Sequence, residues 1–305
     1  MSAPTYLDAI MEAHRKAAES APAGSDLERL REEALGLPRP RPFTAVLRGG
    51  STLAVIAEIK RRSPSKGDLA IGLDPAEVAR EYEAGGAACI SVLTDGAFFS
   101  GSPDDLESAR SACSVPVLRK DFTVCEADVV EARIMGADAV LLIVSALTDA
   151  ELARFVELTT DLAMAALVEV HEEEELERAL EAGAAVVGVN QRDLTTFEVD
   201  NERASRLADR IPPEVVAVAE SGIGGAGDAS RLADAGYDAV LVGETLVRSE
   251  DRQAAVARLA GHTVSPRRGP TVTGDRSLSN ERSNERLNER SKERSNEEMS
   301  VPRCS

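Results

Sequence analysis

Short apolar runs recur along the middle of the chain, each followed by a longer amphipathic stretch. They read AVIAEIK (54–60), ACISVLT (88–94), VPVLRK (115–120), DAVLLIV (138–144), AALVEV (165–170), AVVGVN (185–190), VVAVAES (215–221) and DAVLVG (238–243). Their starts lie about 26 residues apart, room for one strand, one helix and two short connections. The runs are rich in Val, Ile and Leu and apolar on both faces, as parallel strands covered on both sides must be. The stretches between them carry helix punctuation. Asp74-Pro75 offers an N-cap and a first-turn proline, Val78 and Tyr82 share a face, and Gly85 is expected to end that helix. Gly136, Gly183 and Gly236 stand in the same place before the fourth, sixth and eighth runs, which suggests a doubled βα unit. Eight βα units without sequence for a second domain predict an α/β fold, a closed (β/α)8 TIM barrel over residues 54–265. A doubly wound sheet is the weaker alternative.

The flanks behave differently. In residues 1–53, Leu7, Ile10, Met11 and His14 share helical spacing, as do Leu27, Leu30 and Leu35, before Pro38, Pro40 and Pro42 break the chain. This predicts an N-terminal helical extension packed on the barrel. Residues 266–305 contain a four-residue repeat, SNER SNER LNER SKER SNEE, with one apolar residue in it. Such a segment buries too little to offset its ordering entropy, and a disordered, low-complexity tail is expected.

Charge sharpens this division. The 305 residues hold 35 Lys+Arg against 53 Asp+Glu, a net −18. The tail has two more basic than acidic residues, so residues 1–265 carry −20. That acidity argues against nucleic acid and anionic membrane surfaces as partners. Trp is absent and aromatics are 3%, which disfavours base-stacking platforms. No apolar stretch is long enough to span a membrane and no secretory signal is visible, so a cytoplasmic location is expected. The four cysteines (Cys89, Cys113, Cys125, Cys304) form no CxxC pair and read as reduced thiols. The histidines (His14, His171, His262) lie far apart in sequence and suggest no metal cluster. Nothing specifies an oligomer, and a monomer is the simpler expectation.

The chemistry stands at the strand ends. The first run ends Glu58-Ile59-Lys60, the third Arg119-Lys120-Asp121, the sixth Asn190 and the seventh Glu220-Ser221, and the fifth carries Glu169. Glu58 and Lys60 are two apart and point the same way. Buried charge is costly unless paired, and in barrels this end holds the active site. Acids Glu58, Glu169 and Glu220 face bases Lys60, Lys120 and Arg192, a locally neutral set in an acidic body. At about 4 Å such a pair is worth roughly 4 kcal/mol at an effective dielectric near 20, enough to keep a lysine protonated for general-acid work or anion binding. Arg192 and Glu220 could instead be a structural ion pair. After the seventh run Ser221-Gly222-Ile223-Gly224-Gly225, and after the eighth Gly243-Glu244-Thr245, would let backbone N–H groups approach a phosphate. Gly222, Gly224 and Gly227 also fit a dinucleotide fingerprint, but they sit in the seventh unit and not at the first βα turn, so nucleotide binding is disfavoured.

Seven ordered segments then carry a family resemblance: IAEIKRRSPSKGDL (56–69), SVLTDGAFFSGS (91–102), VPVLRKDF (115–122), LVEVHEEEE (167–175), VVGVNQRDL (186–194), VAESGI (218–223) and VGETL (242–246). Over about residues 5–260 the chain resembles indole-3-glycerol phosphate synthase, a lyase of tryptophan biosynthesis. The resemblance implies a barrel with an N-terminal extension. It implies closure of 1-(2-carboxyphenylamino)-1-deoxyribulose 5-phosphate, a small anionic substrate, with loss of CO₂ and water and with no metal or organic cofactor. By position, Lys120 would be the general acid of ring closure, Glu169 the acid/base group of dehydration and Lys60 a second lysine at the substrate. Glu58 and Asn190 would orient these groups. Arg192, Glu220 and Ser221 would complete the substrate site, and Ser63 and Pro64 would lie on a loop that closes over it. Gly222, Gly243 and Glu244 would mark the phosphate pocket. Cys125-Glu126-Ala127-Asp128 departs from the family's common Asp-Pro-Tyr-Gln-like stretch, and the tail has no counterpart. Rival readings are a sugar-phosphate isomerase of the phosphoribosylanthranilate isomerase type and a non-catalytic phosphate-binding barrel. The first would have a Cys and an Asp as its acid/base pair, whereas this first strand ends in Glu and Lys. The second would be expected to have lost Lys120 or Glu169.

Overall fold

In the computed structural model, which describes residues 6–48, 50–193 and 195–267, the eight runs are eight strands. They are β1 Ala54–Ile59, β2 Cys89–Leu93, β3 Val117–Lys120, β4 Ala139–Ile143, β5 Ala165–Val170, β6 Val186–Asn190, β7 Val216–Glu220 and β8 Ala239–Val242. Each pairs in parallel with its sequence neighbours, and β8 closes on β1. The helices of the N-terminal region are α1 Tyr6–Ala18, α2 Ser25–Gly36 and α3 Phe43–Arg48. Those on and around the barrel are α4 Pro75–Ala84, α5 Gly96–Phe99, α6 Pro103–Ala112, α7 Glu126–Ile134, α8 Asp149–Asp161, α9 Glu173–Glu181, α10 Arg203–Ala208, α11 Ala226–Asp234, α12 Glu244–Val247 and α13 Arg252–Leu259.

Strand alternation explains where the charges go. Side chains on one face of each strand pack outward under the helices, as Val55, Val92 and Val168 do. The other face fills the barrel interior with Ile56, Leu118, Leu167, Val186, Val216, Val218 and Leu241. Continued two residues at a time toward the C-terminal end, these inward files become Glu58, Lys120, Glu169, Asn190 and Glu220. The apolar files of β2 and β4 end instead in Leu93 and Ile143. The charged mouth is therefore the upper end of a hydrophobic plug.

At the opposite end α3, a helix the proline-rich stretch gave no reason to expect, buries Phe43 and Leu47 against the lowest interior layer. Two aspartates there do equivalent work. Asp138 accepts the Val117 amide at 2.8 Å and the Arg41 amide at 2.7 Å and pairs with Arg110. Asp238 accepts the Ala217 amide at 2.8 Å and pairs with Arg267 at 2.8 Å. Arg267 also donates to the Val215 carbonyl, so this residue of the segment assigned by composition to the tail packs on the barrel. Residues 268–305, with the repeat, lie outside the described residues.

Two local expectations shift. The left-handed residue ending α4 is Gly86 (φ 91°), matching Gly136, Gly183 and Gly236; Gly85 is still right-handed (φ −77°). Gly85 is nonetheless constrained, because a Cβ there would meet the Gln253 carbonyl and Val256. In α2 it is Ala34 that is buried, while Leu35 stands 56% exposed. The unusual entry to α7 is sound, since Asp128 accepts the amides of Val124 (2.8 Å) and Cys125 (3.0 Å). Asp74 caps α4 through the Ala76 amide, as its sequence signal predicts.

Candidate active site at the strand ends

The strand ends enclose one cavity of about 610 Å³. Glu58, Lys60, Ser63, Pro64, Lys120, Glu169, Asn190, Arg192, Glu220, Ser221, Gly222, Gly243 and Glu244 all line it. Thus the structure brings together every residue singled out from the sequence, although they come from six of the eight βα units.

The centre is Lys120. Its Nζ lies 3.2 Å from Glu169 Oε2 and 3.5 Å from Glu220 Oε2, and both carboxylates are buried. Burial works against its charge, but Glu169, then Glu220 and Glu58, outweigh that and hold the ammonium above the ordinary lysine value. One cation cannot serve every acid equally. Burial pulls Glu169 toward protonation, yet Lys120, then His171 and a 3.0 Å hydrogen bond from Asn190, keep its pKa below the usual value. Glu220 has only part of Lys120 and faces Glu169 and Glu58. Burial, with these like charges, pushes it up to about 8. Its Oε1 is buried without a hydrogen-bond partner. Glu58 is separately paired, with Lys60. No Arg192–Glu220 pair forms among the described contacts. Arg192 donates instead to the Phe197 carbonyl at 3.0 Å, and its own amide donates to Asn190 Oδ1.

Several glycines here make room for side chains. A Cβ on Gly188 would collide with Glu220 Oε1, and one on Gly243 with Glu58 Oε1. A Cβ on Gly222 would meet Asn201 Oδ1 at 2.5 Å and Val199. Beside it Ser221 adopts φ 66°, a conformation costing a non-glycine residue about 1–3 kcal/mol. A hydrogen bond from Gln191 to its carbonyl fixes this turn. Thr245 Oγ1 donates to the Ile223 carbonyl and ties together the two loops after β7 and β8. Ser63 and Pro64 follow β1 in a small hairpin, Arg62–Ser63 against Gly67–Asp68, braced by the Arg61–Asp105 pair.

Sequence patterns missed the roof. Tyr6, Leu7 and Ile10 of α1 line the cavity, as do Phe99, Phe122 and Phe197. Tyr6 meets Phe98 and Phe197 edge-on at 5.8 and 5.3 Å. Few as the chain's aromatic residues are, most of them gather here. The Phe98-Phe99 pair just after the second apolar run was the available signal. Helix α1 is fastened by Arg15, which binds Glu151 at 2.6 Å and the Val124 carbonyl at 2.9 Å, and by His14. The His14 Nε2 lies 3.0 Å from Asp95 and 4.0 Å from Asp121, within one ligand set's reach. Histidines isolated in sequence are thus not isolated in space. The cluster already balances its charge: burial opposes protonation of His14, but the Asp95 hydrogen bond and the Asp121 charge raise its pKa, and Arg119 holds Asp121 at 3.1 Å.

Known proteins place this site in a lineage. The indole-3-glycerol phosphate synthase family profile matches residues 7–259. The indole-3-glycerol phosphate synthase of Mycolicibacterium vanbaalenii is 52% identical over 259 residues, covering 85% of this chain and 95% of that protein. Indole-3-glycerol phosphate synthase 2 of Streptomyces coelicolor is 53% identical over 233 residues, 76% of this chain and 90% of that protein. Among solved structures, N-acetylmannosamine-6-phosphate 2-epimerase from Clostridium perfringens superposes with a TM-score of 0.55 at 15% identity, over 70% of this chain and 94% of that one. That likeness concerns the fold alone. With a match across the barrel and about half of the aligned residues identical in relatives covered over nearly their whole length, the chain belongs to the indole-3-glycerol phosphate synthase family.

Proposed function

We propose that this protein converts 1-(2-carboxyphenylamino)-1-deoxyribulose 5-phosphate to indole-3-glycerol phosphate, CO₂ and water, the ring-forming lyase step of tryptophan biosynthesis. The observation that carries this reading is a charged lysine, Lys120, set between two buried glutamates and facing a cavity of about 610 Å³. Ring closure forms a bond from the carboxyl-bearing aryl carbon to the ketone carbon, and the ketone oxygen takes a proton. Lys120 supplies it, because a cation beside developing alkoxide both stabilises that charge and hands over the proton. Loss of CO₂ restores the aromatic ring. Water then leaves across the new five-membered ring, with Glu169 as the group that accepts and returns the proton.

Supporting roles follow from position. Lys60, paired with Glu58, presents a second cation to the substrate, and Asn190 orients Glu169. Arg192, Ser221 and the Ser63–Pro64 loop surround the sugar chain and carboxylate. The turns at Gly222 and Gly243-Glu244 receive the phosphate through backbone N–H groups. The Tyr6, Phe99 and Phe122 side chains offer apolar walls to a planar aryl ring. The acting partner is a small anionic molecule. Among the described residues no helix is long and apolar enough to cross a membrane.

The test uses the missing tryptophan. Purified protein given the carboxyphenylamino substrate should generate indole fluorescence over a low tyrosine background. Absence of that signal at any enzyme concentration overturns the proposal.

A further inference from the structure

One buried titratable side chain takes no part in the chemistry above. His171 follows the last residue of β5, two positions beyond Glu169, and does not line the cavity. Its side chain is 10% exposed. Glu175, in the first turn of α9, grips it from behind: Oε2 accepts the His171 backbone amide at 2.7 Å and lies 3.1 Å from Nδ1. An acceptor at that distance requires the hydrogen on Nδ1. The other nitrogen, Nε2, then faces Glu169 Oε1 at 3.7 Å and is buried with no hydrogen-bond partner. A neutral imidazole would point a lone pair at a carboxylate there. An imidazolium points a charged N–H, and the four groups Glu175, His171, Glu169 and Lys120 then alternate in sign.

We propose that His171 is a positioning residue for Glu169, its imidazolium bracing the Glu169 carboxylate from behind as Lys120 braces it from the front. The inference rests on the proposed role of Glu169 in dehydration and adds the group that keeps it ionised for that step. Charged groups facing the imidazole are Glu169 on β5, Glu175 on α9 and Arg203 on α10. Burial and Arg203 oppose the imidazolium; the Glu175 hydrogen bond and both carboxylate charges favour it and prevail. Arg203 is directed elsewhere, donating to the Asn190 carbonyl at 2.9 Å.

Removing this cation must make Glu169 easier to protonate. In His171→Asn, where an amide can still donate to Glu175 but cannot become charged, the acid limb of the turnover–pH profile should move up by about one to three pH units, the usual effect of a neighbouring opposite charge. An unmoved limb overturns the proposal. A direct measurement guards against a variant that does not fold. The chain has only three histidines, so ring-proton NMR can follow His171 itself. It should titrate above 6.5 in the native protein and at least about one unit lower in Glu169→Gln and in Glu175→Gln. Full turnover in Glu169→Gln would sink the role of Glu169. A His171 titration indifferent to that substitution would sink the coupling alone.

Discussion

The two ends of the barrel handle buried charge in opposite ways. At the closed end Asp138 is fully covered, yet its oxygens accept two backbone amides and an arginine. Both carboxylates there have their partners, and the ensemble stitches the start of α3 and neighbouring strands together. At the open end Lys120 is shared by Glu169 and Glu220, and Glu220 keeps a buried oxygen without a partner. Buried acids paired with bases make a weld at one end and an unfinished network at the other. The lesson is that burial of charge alone does not mark a site. A buried carboxylate left incompletely compensated does, because an unfinished network still has protons to move and room for a ligand's charge.

Three substitutions can break or sharpen this contrast. Lys120→Met should lower turnover about 10²- to 10⁴-fold in the molecules that remain folded, the range for loss of a general acid. Near-normal turnover would remove Lys120 from its role. Asp138→Ala should do the reverse. Stranding Arg110 and two amides should cost about 3–5 kcal/mol in urea unfolding, while molecules that remain folded turn over normally. Equal damage to catalysis would mean that the two ends are not separable. The smallest effect is expected from Glu220→Gln. With its folded pKa raised to about 8 from an unfolded value near 4.5, Glu220 holds a proton in the fold that the unfolded chain has lost. Stability then falls as pH rises through that window. The glutamine variant should be no more stable than the parent near pH 4.5 but more stable at pH 9, read as denaturation midpoints. A pH-independent difference would show that Glu220 stays ionised throughout.

Much of this was legible in the sequence, for reasons that also set the limits. Doubly buried parallel strands leave continuous apolar runs, so the eight runs and their order were visible, and polar residues at their C-terminal ends stood out against them. Period-two alternation correctly placed Glu58 and Lys60 on one face. What could not be read were pairings across the axis. Nothing near Arg192 in sequence said that it would bind the Phe197 carbonyl and leave Glu220 to Lys120. The same holds for His14, brought to Asp95 and Asp121 only by the docking of α1. Helix α3 was hidden because its few residues follow three prolines, and Arg267 because the composition around it resembles the repeat beyond.

One feature of the closed end reaches further. Val117 and Lys120 on β3, with Gly136 and Asp138 between α7 and β4, recur at a constant offset as Ala217 and Glu220, with Gly236 and Asp238 between α11 and β8. The aspartates keep the same bond to the preceding strand in both halves. The offset relates β3 to β7 and β4 to β8, strands opposite one another in the closed barrel, and Lys120 and Glu220 hold equivalent positions that meet across it. Two copies of either residue would repel each other there. The closed end repeats its aspartate-to-amide bond in both halves, whereas at the open end one half holds a cation and the other an acid, the difference on which proton transfer between them depends.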